Sequence, residues 1–183
     1  MIIYKVGNIL DAKAEALVNT VNTVGVMGKG IALQFKNEFP ENYKEYTEAV
    51  NRKEITVGKV QVVPVNGLNG VKYIVNFPTK AHWRYPSKIE WIKDGLKDLH
   101  KQVKVLKIES IAVPPLGCGN GGLNWDDVKP IIVEALSDLD INVFVYEPSL
   151  AIKEALKKKK SRRLPNLLRQ ERCYYIYYIS IAH

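Results

Sequence analysis

Short apolar runs alternate along this chain with longer stretches in which apolar residues recur every three or four positions. Residues 2–6 read as a strand, ended by Gly7 and Asn8. Residues 16–22, ALVNTVN, read as a second, mostly apolar strand. A helix is predicted over 29–39, where Ile31, Leu33, Phe35 and Phe39 mix with polar positions. Pro40 stops or restarts it, and 42–51 continue as helix. Residues 59–65 alternate and read as a strand, and 73–77 as another. Pro86 sits at the start of a long helix reaching about residue 102, with Ile89, Ile92, Leu96 and Leu99 at helical spacing. A strand at 110–114, a helix at 126–139 and a strand at 142–146 complete the pattern. Interleaved strands and helices, with several strands apolar throughout, predict an α/β fold: a parallel or mixed sheet with helices on both faces.

Past Pro148 the character changes. Residues 151–163 read as a basic helix broken by Pro165, and 173–181, rich in Tyr and Ile, read as a strand suited to a sheet edge or another chain. The expected division is a domain at 1–148 and a basic C-terminal extension at 149–183.

Two glycine-rich turns each follow an apolar run and precede helix-like sequence. The first is Val24-Gly25-Val26-Met27-Gly28-Lys29-Gly30 and the second Leu116-Gly117-Cys118-Gly119-Asn120-Gly121-Gly122. A strand feeding a glycine loop that opens a helix aims backbone N–H groups at an anion, and glycine allows close approach. Two such loops could grip a diphosphate from both sides. The alternative is a pair of tight connections in an α/β fold. Ligands in such sheets bind at the carboxyl ends of strands, where both loops and Pro78-Thr79-Lys80 fall.

Charge adds little to this picture. The net charge is +8 over 183 residues, but residues 151–183 hold nine Lys/Arg against Glu154 and Glu171. The rest is nearly neutral, so the basic balance alone does not mark a nucleic-acid protein. The tail could bind phosphate backbones nonspecifically or be a solvated terminus. Cys118 and Cys173 are the only cysteines, which fits a reducing, cytoplasmic setting. No signal peptide, membrane span or metal-ligand spacing is apparent, and no cofactor is called for.

The ordered segments Gly7-Asn8-Ile9-Leu10, Leu17-Val18-Asn19-Thr20-Val21-Asn22, Gly25 to Gly30 and Pro115-Leu116-Gly117-Cys118-Gly119 resemble the macrodomain family over about residues 1–147. NTVNTVGVMGKG, Pro78-Thr79-Lys80 and GCGNGGLNW are similar to one subgroup, the antitoxin macrodomains of the DarT–DarG system. The resemblance implies a three-layer α/β/α fold with a central mixed sheet and a cleft for ADP-ribose. It further implies hydrolytic removal of ADP-ribose from thymidine in single-stranded DNA, opposing a DarT-like toxin. A reader that binds ADP-ribose without turnover, and a hydrolase of ester-linked protein ADP-ribose or of a metabolite, are the alternatives.

By that resemblance Asn8, with Ile9, meets the adenine, where most relatives carry Asp. An amide oxygen still accepts the bond but without charge assistance. Thr20 and Asn22 face the distal ribose, Asn22 in a catalytic role. Gly25, Val26, Met27, Gly28, Lys29 and Gly30 form the first phosphate loop, and Leu116 through Leu123 (Gly117, Cys118, Gly119, Asn120, Gly121, Gly122) the second. Thr79 borders the site. Lys80 is the implied catalytic residue. At an ordinary pKa of about 10.4, on the order of one lysine in a thousand is neutral at pH 7. Lys80 therefore attacks the ribose only if the site strips its charge, or else stabilises the departing base as an ammonium. Human-type relatives pair the lysine with an acid in the second loop; here that position falls at Gly121 or Gly122. The segment His82-Trp83-Arg84-Tyr85 follows directly. Its rings can stack on an unpaired base and Arg84 can pair with phosphate, giving His82, Trp83 and Arg84 as the implied DNA contacts. Alternatively, Trp83 covers the cleft edge and Arg84 is solvated.

Overall fold

The computed structural model describes residues 1–148. The readings of a basic helix and a terminal strand in 149–183 lie outside the described residues. Among the described residues there are six strands: β1 (Ile2–Lys5), β2 (Ala16–Asn22), β3 (Gln61–Pro64), β4 (Tyr73–Lys80), β5 (Ser110–Val113) and β6 (Asn142–Tyr146). They form one sheet in the order β1-β6-β5-β2-β4-β3. Every pairing is parallel except β3 with β4. Four helices accompany them: α1 (Gly30–Glu38), α2 (Pro40–Asn51), α3 (Ile89–Val105) and α4 (Trp125–Leu136). The expected mixed α/β/α architecture is what the chain adopts.

The near-continuous apolar runs become the central strands because both their faces are covered. Ala16 and Val18 of β2, Val75 and Phe77 of β4, and Ile111 and Val113 of β5 pack with Ile92, Leu96 and Leu99 of α3 and Val128, Ile132 and Leu136 of α4. Leu17, Ile74 and Ala112 point the other way, onto Phe35 of α1. Above them Val21 and Met27 pack with Ala32, Tyr46 and Ala49 of α1 and α2.

Three element boundaries differ from the sequence reading. Phe39 separates α1 from α2, and Pro40 opens α2, where its fixed φ and missing N–H are tolerated. β4 runs three residues beyond Phe77, because β2 pairs with it as far as Asn22–Lys80. Pro78 lies past the last β3 pair, Gln61–Asn76, so the proline has only β2 beside it. Finally, α3 starts at Ile89 rather than near Pro86. The preceding stretch is held elsewhere, with Ser87 N–H donating to the Gly121 carbonyl at 3.0 Å.

Candidate functional site

The register of β2 against β4 slips between Val21 and Asn22, so that Asn22 stands opposite Lys80 and Thr79 is passed over. A bulge of this kind re-aims side chains at the end of a strand. It joins two residues 58 positions apart, and both are buried, Lys80 being only 8% exposed. Lys80 Nζ donates to the Trp83 carbonyl at 3.1 Å. The Lys80 carbonyl accepts from Thr23 N–H at 3.1 Å, and the Thr23 hydroxyl donates to the Ala81 carbonyl at 2.6 Å. The loops after β2 and β4 are thus stitched together at their roots.

Asn22 spends much of its amide on the loop it begins. Its Oδ1 accepts from Val24 N–H at 3.0 Å and Val26 N–H at 3.3 Å, and its Nδ2 donates to the Val26 carbonyl at 2.6 Å. Asn22 therefore shapes the first glycine loop; an amide carries two hydrogens, and the loop takes one. From below, the Tyr46 hydroxyl of α2 donates to the Asn22 carbonyl at 2.5 Å. Burial pushes the Tyr46 phenol far above its ordinary range, so it stays protonated and a donor at every working pH. Tyr46→Phe keeps the ring but strands a buried carbonyl. A loss of about 1–2 kcal/mol is expected, read as a drop in the thermal unfolding midpoint together with weaker ligand binding.

The second loop folds on itself. Leu123 N–H donates to the Gly117 carbonyl at 3.0 Å and Gly122 N–H to the Gly119 carbonyl at 3.1 Å. Its glycines divide by cause. A Cβ on Gly121 would lie 2.2 Å from Ser87 Oγ and 2.4 Å from the Gly117 carbonyl oxygen, so packing forbids a side chain there. Gly119 has neither a positive φ nor any atom within 4 Å of a built Cβ. Neither its backbone nor its neighbours require glycine, and the space beside it is open. A Cβ on Gly30, at the start of α1, would stand 3.5 Å from Asn120 Nδ2. The two glycine loops therefore meet across the mouth of the sheet, as a two-sided cradle requires.

Beyond Lys80 the chain turns through a cluster of rings. His82 and Trp83 stack with centroids 5.6 Å apart, and the Arg84 guanidinium lies 4.5 Å from the Trp83 centroid. The three loops at 23–30, 81–88 and 114–124 carry Lys29, Arg84 and Lys88, and neither Asp nor Glu. These loops therefore carry positive charge of a kind suited to phosphates. No group of three His, Cys, Asp or Glu gathers for a metal among the described residues. No helix among them is long and apolar enough to cross a membrane.

A model of the Macro domain family matches residues 18–132, from within β2 into α4, and takes in both loops and Lys80. The chain is a macrodomain. It is 55% identical over 143 residues to the DNA ADP-ribosyl glycohydrolase of Thermus aquaticus, an alignment covering 78% of this chain but 40% of that protein. This macrodomain thus spans well under half the length of that curated relative. The solved macrodomain of Mycobacterium tuberculosis DarG is 55% identical and superposes with a TM-score of 0.80, covering 81% of this chain and 99% of that one. Thermosipho africanus DarTG in complex with ADP-ribose is 35% identical with a TM-score of 0.74, covering 80% of this chain and 42% of that one.

The residues named from sequence sit in different surroundings in the macrodomain. Ile9, Met27, Leu116 and Cys118 are buried in the core, so they offer a ligand main chain rather than side chain. The Cys118 thiol is pushed up to about 12, by burial first and then by the charge of Asp127, and is no nucleophile. Asn8 Oδ1 accepts from Leu10 N–H at 3.2 Å and caps the short 3-10 turn that follows. Thr79 is buried with its hydroxyl 3.5 Å from the Val21 carbonyl, Thr20 is half-buried on β2, Leu123 packs on the core, and Val26, Lys29, Asn120 and Gly122 are exposed.

Sequence reasoning missed the supports beneath the macrodomain's first loop: Tyr46 and a ladder of buried amides. Asn76 on β4 donates to Asn42 Oδ1 of α2 at 2.8 Å and to Gln61 Oε1 at 3.0 Å, and accepts from Asn19 of β2 at 3.1 Å. Asn19 also approaches Met27 Sδ at 3.9 Å. The available signal was an amide in the middle of each of two apolar strands, where it is costly unless paired.

Proposed function

We propose that this macrodomain is an ADP-ribosyl hydrolase that removes ADP-ribose from thymidine in single-stranded DNA. The observation that carries the reading is the Asn22–Lys80 pair, brought together at the ends of β2 and β4 beside the two glycine loops. In this reading the backbone amides of Gly28–Gly30 and Gly117–Gly122 hold the diphosphate. Gly119 gives way to it, and Lys29 adds charge at the rim. Asn8 and Ile9 border the adenine. Thr20, Thr79 and the remaining amide hydrogen of Asn22 face the distal ribose. The 82–85 turn meets the DNA, with Arg84 on phosphate.

Hydrolysis breaks the bond between C1″ of the distal ribose and the thymine nitrogen. Water supplies hydroxyl to C1″ and the base regains a proton. In this reading the base departs first, leaving an oxocarbenium-like sugar that water then captures. Lys80 acts as an ammonium that stabilises the charge developing on the base, and the diphosphate's negative charge attracts it to the same place. The loop supports this division of labour in place of the acid that human-type relatives carry: a Cβ on Gly121 would stand 2.2 Å from Ser87 Oγ, and Gly122 holds a φ of +77° that favours glycine. The names of the similar DNA ADP-ribosyl glycohydrolase and DarTG proteins support DNA as the substrate and a DarT-like toxin as the antagonist. The setting in this reading is the cytoplasm.

The test is turnover of an oligonucleotide ADP-ribosylated on thymine, beside a protein carrying ester-linked ADP-ribose. Restored oligonucleotide with intact ADP-ribose supports the reading. Release from the protein ester alone would move the substrate class, and binding without release from either would make the domain a reader.

A further inference from the structure

The turn after Lys80 divides its rings into two kinds. Trp83 is engaged on several sides: Arg84 Cζ lies 4.5 Å from its ring centroid, His82 stacks on it at an interplanar angle of 25°, and its carbonyl accepts from Lys80 Nζ at 3.1 Å. Tyr85 touches the cluster through a tilted contact with His82, centroids 5.2 Å apart. It is 63% exposed, against 45% for Trp83. Its backbone is nevertheless fixed. Tyr85 N–H donates to the His82 carbonyl at 3.1 Å, and two residues later Ser87 N–H is tied to Gly121 at 3.0 Å, with Pro86 between. An exposed ring on an anchored backbone is presented to solvent at little conformational cost.

We propose that Tyr85 is the stacking platform for the unpaired nucleobase next to the modified thymine, and that Trp83 is a positioning residue for Lys80. The inference rests on the reading that DNA is the substrate. Aromatic rings beside cations are how unpaired strands are held: the ring takes a base face while the charge tracks the backbone. Arg84 and Lys88 flank Tyr85 in sequence, and no carboxylate lies within the 81–88 segment to repel a phosphate. Trp83 has its guanidinium and imidazole neighbours in place of a base. Its main-chain carbonyl holds the Lys80 amine, and its ring, clasped by Arg84 and His82, fixes where that carbonyl sits, so loss of the ring reaches Lys80 through the main chain.

The two roles separate kinetically. Steady-state turnover is measured on a modified thymidine mononucleotide and on a modified oligonucleotide with unmodified neighbours. Tyr85→Ala is expected to raise KM for the oligonucleotide on the order of ten-fold, which collapses the preference for oligonucleotide over mononucleotide; Tyr85→Phe restores it. Trp83→Ala is expected to lower kcat on both substrates by a similar factor, and Trp83→Phe, which keeps a ring under Arg84, to recover most of it. The proposal is overturned if Tyr85→Ala keeps the wild-type preference, or if Trp83→Ala and Trp83→Phe reproduce the oligonucleotide-specific rise in KM. If the wild-type domain restores neither DNA substrate, the functional reading itself falls and the platform with it, a result distinct from either outcome at Tyr85 or Trp83.

Discussion

Lys80→Ala is expected to lower the rate of release from modified DNA by at least about 10²-fold, the scale seen when one preorganised electrostatic stabiliser is removed. Binding of ADP-ribose should survive, because the cradle is built from main chain of the two glycine loops. Single-turnover kinetics and calorimetry on the same variant read the two quantities separately. The pH dependence then distinguishes the two chemistries open to an amine. An ammonium that stabilises the leaving base loses activity as pH rises through its titration. A neutral amine attacking C1″ gains activity over the same range. The account expects the falling limb. A rising limb would make Lys80 the nucleophile and require a group that takes its proton.

Gly121→Ala is expected to cost about 2–3 kcal/mol, the upper part of the range for forcing a methyl group into a filled space. In a domain of this size that lowers the unfolding midpoint by roughly 5–10 °C. Its Cβ would stand 2.2 Å from Ser87 Oγ and 2.4 Å from the Gly117 carbonyl oxygen, and a backbone oxygen has little freedom to retreat. ADP-ribose binding should weaken as well, because relief of the clash pushes the second loop away from the 81–88 segment. Gly119→Ala is the matched control. Its methyl group enters open space, so the midpoint should hold while ligand affinity drops. Equal midpoints for the two variants would show that the loop does not pack on Ser87 as described. Equal affinities for wild type and Gly119→Ala would show that the open space is not where the diphosphate lies.

The sequence carried the central strands because burial on both faces leaves a visible mark. ALVNTVN cannot be an amphipathic helix face, and β2 begins and ends where that run does. The end of β4 was hidden: a strand reading that stops at Phe77 leaves Pro78-Thr79-Lys80 outside it, and pairing with β2, 58 residues away, keeps them extended. The glycine loops were legible as composition, and the resemblance to macrodomains gave Lys80 and Asn22 their expected places. Their adjacency depends on a one-residue slip in a parallel ladder, which no local pattern encodes. Tyr46 carries no signal in the sequence; that its hydroxyl ends under Asn22 depends on how α2 docks. Ser87 was equally silent. A serine before a helix reads as a cap, yet here Lys88 precedes α3 and Ser87 is wedged beneath Gly117 and Gly121. Asn8 shows the converse, since a residue singled out for a ligand also serves the local turn that the same side chain favours.

The most direct measurement is a crystal structure of the Lys80→Ala domain with ADP-ribose, superposed on the wild-type fold. The account predicts the diphosphate against the amides of Gly28–Gly30 and Gly117–Gly122, and the C1″ hydroxyl of the distal ribose, which stands where the base departs, within about 3 Å of the position of the wild-type amine. ADP-ribose bound elsewhere, or with its anomeric carbon turned away from position 80, would contradict it.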